Sequence, residues 1–249
     1  MGQKTIQPAL LSGRVKVPPS KSMAHRAIIC AALAEGRSIV ENVAFSDDIL
    51  ATMEGMRRLG ARIEDLGGGT LAVDGIGQGQ AICGLPEIDC KESGSTLRFL
   101  IPVALGLARG ARFTGQGNLG KRPLDVYTKI FDEQGIETQA QGPLLDLQVS
   151  GQLRAGTFSM RGDVSSQFIT GLLFILPLMA EDSELVITTH MESKSYVDMT
   201  LSVLADFGIR VKNEAYRRFA IPGGQKYRAG RYRVEGDFSQ AAFFLCAGA

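Results

Sequence analysis

The chain repeats itself. Three amphipathic segments, opening at Asp47, Pro123 and Tyr196, close on Gly60, Gly135 and Gly208, which are almost evenly spaced. Glycine there suits the left-handed residue on which many helices end. A short alternating stretch follows each, at 61–64, 136–139 and 209–212, and reads as a strand. A second element recurs in step. Ser22, Ser95 and Ser166, at nearly the same interval, each open a run that is apolar on most faces. Runs of that kind form central helices, and a serine at the start is an ordinary cap. Pro102 and Pro177 lie inside the second and third runs, which predicts kinks or early breaks there.

Each unit therefore reads strand, buried helix, strand, amphipathic helix, strand, strand. The last two strands form a hairpin, around Gly67-Gly68-Gly69 in the first unit and Gly142-Pro143 in the second. One unit cannot cover its own apolar helix, so several must pack together. The expected fold class is α/β (α+β), with three βαβαββ repeats packed around buried helices and the start of a second, similar domain. That start is visible because the stretch from Val234 copies the layout of the stretch from Met160, with Ser239 standing where the interval from Ser166 places the next helix. A fourth unit begins near Arg231 and stops after its first helix. The chain thus reads as part of a longer protein, divided into 14–230 and 231–249.

Several function classes are excluded early. Lys and Arg number 27 against 26 Asp and Glu, a formal charge of +1, where a general nucleic-acid binder would be basic. The four cysteines, Cys30, Cys83, Cys90 and Cys246, form no Cys-x-x-Cys pair, and His25 and His190 are the only histidines. No zinc-ligand pattern exists, and the thiols are expected in the core of a cytoplasmic protein. The longest apolar stretch, 168–180, is too short to span a bilayer.

The chemistry gathers at the helix starts. Lys21, Ser22 and Arg26 follow Pro18-Pro19-Ser20; Lys91-Glu92-Ser93-Gly94-Ser95-Thr96-Leu97-Arg98 opens the second buried helix; Asp163-Val164-Ser165-Ser166-Gln167 opens the third. Free N–H groups and the positive dipole end attract anions at such places. Cationic side chains in a first turn oppose the dipole, so their presence needs another reason. If the repeats converge, the starts share one cleft for a small polyanionic substrate. The glycine spacing 115–117–120 precedes Lys121-Arg122-Pro123 instead of a long helix, so it is a loop and no nucleotide fingerprint.

Taken together and in order, Pro18-Pro19-Ser20-Lys21-Ser22-x-x-x-Arg26, Ser93-Gly94-Ser95-Thr96-Leu97-Arg98, Lys121-Arg122-Pro123, Asp163-x-Ser165-Ser166-Gln167 and Glu192-Ser193-Lys194-Ser195-Tyr196 resemble the EPSP synthases, the 3-phosphoshikimate 1-carboxyvinyltransferases. The resemblance covers the whole chain. It implies the enolpyruvyl transferase fold, two similar domains with the substrate cleft between them, residues 1–13 adding a strand to the second domain. It implies transfer of the enolpyruvyl group of phosphoenolpyruvate to the 5-hydroxyl of shikimate 3-phosphate, with release of phosphate. No metal or organic cofactor is implied. The partners are the two small-molecule substrates, with no nucleic acid or membrane, and the complete enzyme is a cytoplasmic monomer. Carried over by position, Lys21 meets both substrates at the catalytic centre. Ser22, Arg26, Ser165, Ser166, Gln167, Ser193 and Tyr196 hold shikimate 3-phosphate; Gly94, Arg122 and Gln167 line the phosphoenolpyruvate site. The acid/base groups belong to the part of such enzymes beyond this chain, so the chain alone is expected to be inactive.

Two departures stand out. Many relatives have Asn-Ala-Gly-Thr where this chain has Glu92-Ser93-Gly94-Ser95, which puts a carboxylate near an anion site, and Phe168 stands where some have Arg. Two rival readings remain. A UDP-N-acetylglucosamine enolpyruvyl transferase would share the fold, but it uses a cysteine in the stretch corresponding to 115–121, where none occurs. A non-catalytic half-molecule would bind a phosphorylated metabolite without turnover.

Overall fold

The computed structural model describes residues 13–77, 82 and 84–247, so the strand expected at 1–13 and Cys83 lie outside the described residues, Gly13 apart. The first unit contains α1 (Lys21–Leu33), β1 (Arg37–Glu41), α2 (Asp47–Arg58), β2 (Arg62–Asp65) and β3 (Leu71–Asp74). The second contains β4 (Glu87–Asp89), α3 (Gly94–Ala108), β5 (Gly110–Thr114), α4 (Asp125–Gln134), β6 (Glu137–Ala140) and β7 (Asp146–Ser150). The third contains β8 (Thr157–Met160), α5 (Ser166–Ile175), β9 (Ser183–Ile187), α6 (Lys194–Asp206), β10 (Lys212–Glu214) and β11 (Arg218–Ile221). Then follow β12 (Arg231–Arg233) and α7 (Phe238–Ala247).

The second and third units build sheets of the same order, β4-β5-β7-β6 and β8-β9-β11-β10, parallel in the first pair and antiparallel in the hairpin. The first unit has no described strand ahead of α1. Strand β12 takes that place, giving β12-β1-β3-β2 with Ile39 opposite Arg231 in parallel. The expected division at 231 therefore cuts through a sheet, and residues 231–233 complete the first unit. Without them β1 would present an unpaired edge. Just beyond, the entering and leaving segments are bonded to each other. The Ser20 N–H donates to the Glu235 carbonyl and the Asp237 N–H to the Pro18 carbonyl, each at 2.8 Å.

The three apolar helices form the core. The rings of His25 on α1, Phe99 on α3 and Phe174 on α5 meet edge to face, at 6.2 and 5.5 Å between centroids. All of α1 from Met23 to Leu33 is buried, whereas α2 buries one stripe, Ile49, Thr52, Met53 and Met56. Asp47 and Asp48 in the first turn of α2 and Arg57 and Arg58 in its last complement the dipole.

The two prolines behave differently. Helix α3 runs through Pro102 without a break. Pro102 has no N–H, so the Arg98 carbonyl four residues back loses its helical donor. The buried Tyr127 hydroxyl supplies one instead, at 2.7 Å. A Cβ on Gly171 of α5 would lie 2.4 Å from that hydroxyl and 2.5 Å from the Arg98 carbonyl oxygen, so glycine is what lets α5 close onto α3 there. At Pro177 the expected break does occur: α5 ends at Ile175 and a 3-10 turn, Leu176–Leu178, follows.

Strands β2 and β6 start one residue later than the sequence predicts and β10 three later. The third hairpin turns on Ala215 and Tyr216, with φ of 52° and 58°, stabilised by the Tyr216 N–H donating to the Asn213 carboxamide at 2.8 Å. Helix α7 buries none of its residues and exposes Phe238, Phe243, Phe244 and Leu245. Cys30 and Cys90 are in the core, but Cys246 on α7 is exposed, contrary to the expectation. Among the described residues no helix is long and apolar enough to cross a membrane.

Candidate functional site

The starts of all six helices α1 to α6 are tied together on one face. Serines cap the buried three. Ser20 accepts from the Met23 N–H at 3.4 Å, Ser93 from the Thr96 N–H at 3.1 Å and Ser165 from the Gln167 N–H at 3.3 Å. The caps stand one or two residues ahead of the expected Ser22, Ser95 and Ser166, which leaves those three hydroxyls for other work. Each cap occupies one orphan N–H and leaves the dipole end in place.

Lys21 is the first residue of α1, and its Nζ lies 2.6 Å from Asp48 Oδ2 on α2. The ion pair turns the ammonium across the helix starts. Asp48 also accepts through its carbonyl from Thr96 Oγ1 at 3.3 Å, joining α2 to α3. A buried chain of hydroxyls lies behind: His25 Nδ1 is 2.8 Å from Thr52 Oγ1, Thr52 Oγ1 is 2.7 Å from Thr96 Oγ1, and Thr96 Oγ1 is 2.7 Å from Ser93 Oγ. Burial drops the His25 pKa to about 3, so the ring is neutral at physiological pH.

Arg26 is 2% exposed, deeper than a plain surface ligand would be. Its Nε donates to Thr200 Oγ1 at 2.8 Å, one terminal nitrogen to the Ser22 carbonyl at 2.7 Å and the other to the Tyr196 carbonyl at 3.0 Å. Burial lowers its pKa to about 10, which still leaves it charged. Three of its five donors are thus committed to the protein. Arg26 joins α1 to the start of α6. Tyr196 contributes its carbonyl to Arg26 and leaves its ring 40% exposed. Ser193, the residue before α6, holds a left-handed φ of 54°.

The second centre lies at the start of α3. The place where a Gly94 Cβ would sit is 2.3 Å from an Arg122 terminal nitrogen. Glycine is needed there so that this guanidinium can lie against the helix end. Arg98, in the first turn of α3, donates to Gln167 Oε1 at 2.8 Å and to the Pro123 carbonyl at 3.3 Å. Gln167 in turn donates to Ser95 Oγ at 2.8 Å. One glutamine therefore bridges the starts of α3 and α5. The Arg98 guanidinium lies 5.0 Å from the centre of the Phe168 ring, so Phe168 forms the floor beneath it and does not reach the open face. Burial, then the neighbouring Arg122, lowers the Arg98 pKa. Two guanidiniums that close repel one another unless an anion sits between them. Among the described residues the Arg122 side chain makes no hydrogen bond or ion pair, and the hydroxyls of Ser22, Ser166 and Ser193 have no partner either.

The structure thus brings Gly94 to Arg122, Gln167 to the start of α3, and Arg26 to Ser22 and Tyr196. Lys21 is joined to Asp48 and to none of the other expected residues. Among the described residues Glu92 forms no ion pair with these guanidiniums; its carboxylate is 2.6 Å from the Gly117 Cβ position on the neighbouring loop. Sequence reasoning left Asp48 and Arg98 without a role. Arg98 stood inside a quoted motif, four residues past Gly94, where a helix returns to the same face. Nothing in the sequence marked Asp48. A wide groove of about 1210 Å³, lined by Gly208, Arg210, Tyr227 and Arg228, lies elsewhere and holds none of these residues.

Known proteins resemble this chain in sequence and in fold. The family model of EPSP synthase (3-phosphoshikimate 1-carboxyvinyltransferase) matches residues 6–249. A 3-phosphoshikimate 1-carboxyvinyltransferase of Clostridium beijerinckii is 56% identical over all of this chain and 58% of its own length. One of Clostridioides difficile is 51% identical, again over all of this chain and over 59% of its own. A solved structure of EPSP synthase from Acinetobacter baumannii superposes with a TM-score of 0.78 at 27% identity, covering 94% of this chain and 52% of that one. The chain spans a little under three fifths of the length of these curated relatives.

Proposed function

The chain belongs to the EPSP synthase family, and on that premise we propose that the protein carrying it moves the enolpyruvyl group of phosphoenolpyruvate to the 5-hydroxyl of shikimate 3-phosphate, releasing phosphate. The carrying observation is the Gln167 bridge. It sets two anion-attracting helix ends side by side, one holding the unpaired Arg122 over Gly94, the other opening on Ser165 and Ser166. Two phosphates and two carboxylates must be held close despite their repulsion, and charge-assisted hydrogen bonds are what oppose it.

The geometry supports a division of labour. Gly94 and Arg122 take phosphoenolpyruvate at the start of α3. Ser22, Ser165, Ser166 and Ser193 hold shikimate 3-phosphate, the last three by its phosphate, and Arg26 reaches its carboxylate. The exposed ring of Tyr196 packs beside the cyclohexene. Gln167 has one amide hydrogen left and touches both substrates. Lys21, released from Asp48, reaches both and positions them at the catalytic centre. Residues 14–233 form the domain that binds; a second, similar domain begins beyond them, closes over this face and brings the groups that move protons. The complete protein is a cytoplasmic monomer acting on these small molecules.

Phosphate release from the two substrates by the protein at the full length of its relatives tests the reading, with calorimetric titration of each substrate. Turnover that needs shikimate 3-phosphate is expected. Binding of the phosphorylated acceptor with no turnover would favour the half-molecule. The nucleotide-sugar acceptor is not favoured, because the relatives are named for 3-phosphoshikimate and 115–121 holds no cysteine.

A further inference from the structure

Two loops carry or lead into Ser165, Ser166 and Ser193, assigned above to the acceptor phosphate: 161–165, ahead of α5, and 188–193, ahead of α6. Neither has regular structure, yet they are knitted together. The Gly162 N–H donates to Thr189 Oγ1 at 2.9 Å, and the Glu192 N–H to the Gly162 carbonyl at 3.0 Å. Thr189 Oγ1 donates onward to Asp163 Oδ1 at 2.9 Å. Asp163 also takes a two-toothed contact from Arg161, Nε to Oδ1 and a terminal nitrogen to Oδ2, each 2.9 Å. The loops press so closely that a Cβ on Gly162 would lie 2.6 Å from Ile187 Cγ2 and 3.0 Å from the His190 carbonyl oxygen.

An ion pair as exposed as Arg161–Asp163 contributes little to global stability. A carboxylate beside a phosphate site would even harm binding through repulsion, unless its charge were spoken for. Here both oxygens are occupied, and the hydrogen bonds from Arg161 and then Thr189 hold the carboxyl well below the usual range, so it is charged and saturated. The arrangement makes sense as a clamp that fixes one loop against the other.

We propose that Asp163, acting through Thr189 and Arg161, is a positioning residue that holds Ser165 and Ser166 at a fixed distance from Ser193, preforming the cradle for the phosphate of the acceptor. The inference rests on the assignment of those serines in the proposed function. Asp163 itself touches no substrate. A preformed cradle costs the ligand no loop ordering on binding, so loosening it weakens the acceptor and leaves the donor alone.

The test uses the full-length protein and steady-state kinetics with both substrates. Asp163→Ala and Thr189→Val each raise the KM for shikimate 3-phosphate by ~10- to 100-fold while the phosphoenolpyruvate KM moves by no more than about 3-fold. Thr189→Ser keeps the hydroxyl and restores the wild-type value. Should Asp163→Ala fail to fold, the two Thr189 variants decide alone, since neither changes charge. Several results would overturn the clamp: unchanged KM in the variants, tighter acceptor binding when Asp163→Ala frees Arg161, a loss in Asp163→Ala that Thr189→Val does not share, or equal losses for both substrates. Wild-type protein that turns over neither substrate would instead remove the functional reading beneath it.

Discussion

Replacing Tyr127 by Phe removes a single oxygen from a side chain that is 1% exposed. The ring keeps its packing, 5.7 Å from Phe131 and 4.8 Å from Phe168. Two contacts go, the 2.7 Å bond to the Arg98 carbonyl and the 3.1 Å contact with the Phe168 carbonyl. The second loss is minor, because the carbonyl of Phe168 keeps its donor four residues on in α5. The first strands a buried carbonyl, because position 102 is proline and has no N–H to give. An unsatisfied buried acceptor costs ~1–3 kcal/mol. Pro102→Ala returns that N–H, so in the Pro102→Ala background the same Tyr127→Phe change should cost under about 1 kcal/mol, a coupling of ~1–2 kcal/mol. Urea unfolding of the wild type, the two single variants and the double variant of the full-length protein measures it, provided the slope m is the same in all four. An equal cost of Tyr127→Phe in both backgrounds would show that the tyrosine is not serving the proline's missing donor.

Gly94→Ala would drive its methyl into the Arg122 guanidinium, so the phosphoenolpyruvate KM should rise by ~10-fold or more while that for shikimate 3-phosphate stays within about 3-fold; initial rates at varied substrate check both. Arg26→Ala removes three hydrogen bonds from a buried guanidinium, although the Tyr196 carbonyl keeps Thr200 Oγ1 and Thr200 keeps Thr170, so it should cost ~1–3 kcal/mol in urea unfolding, where Lys21→Ala, half-exposed, changes stability by ~1 kcal/mol at most. His25 has its pKa lowered to about 3 by burial. Between pH 6.5 and 3 the unfolded chain binds a proton there that the native chain refuses, so stability falls as pH falls, by ~2 kcal/mol from this group on reaching pH 5. The slope of urea stability against pH should flatten in His25→Gln; an unchanged slope would show that the ring titrates normally.

The fold was legible because it is written three times. Helix starts, closing glycines and the central apolar runs all recur, and a threefold recurrence averages out local ambiguity. Harder to read was what depended on long-range partners. The continuity of α3 through Pro102 rests on Tyr127 and Gly171, which belong to later helices, so local propensity alone pointed to a kink. The third hairpin turns on Ala215 and Tyr216, residues that announce no turn, because Asn213 and the flanking pairing carry it. The sheet completed by β12 could not be seen either, since a parallel pairing between the first strand of the described chain and its last leaves no periodic trace. At the site, motif residues were visible as residues, but burial was not. The sequence separated Lys21 from Arg26 by role, but the structure adds that one is a half-exposed ammonium and the other a buried guanidinium held by three acceptors.

The cations of the site carry the argument from fold to function. Lys21 and Arg122 stand at or just before the starts of helices, where positive charge is disfavoured by the dipole, and Arg26 and Arg98 lie about a turn further in. A fold that needed only stability would put carboxylates there, as α2 does with Asp47 and Asp48. Three of the four are partly compensated within the chain: Lys21 by Asp48, Arg26 by a hydroxyl and two carbonyls, Arg98 by Gln167 and the Pro123 carbonyl. Apart from Asp48, these acceptors are neutral, so they orient the guanidiniums without cancelling their charge. The Arg122 side chain has no such acceptor among the described residues and lies beside Arg98, which feels it. The uncancelled charge is therefore aimed, held in place by neutral bonds, and concentrated over Gly94, where the backbone is bare. The arrangement is unfavourable in the empty protein and becomes favourable when an anion fills it, which is how a site selects phosphates and carboxylates in place of water.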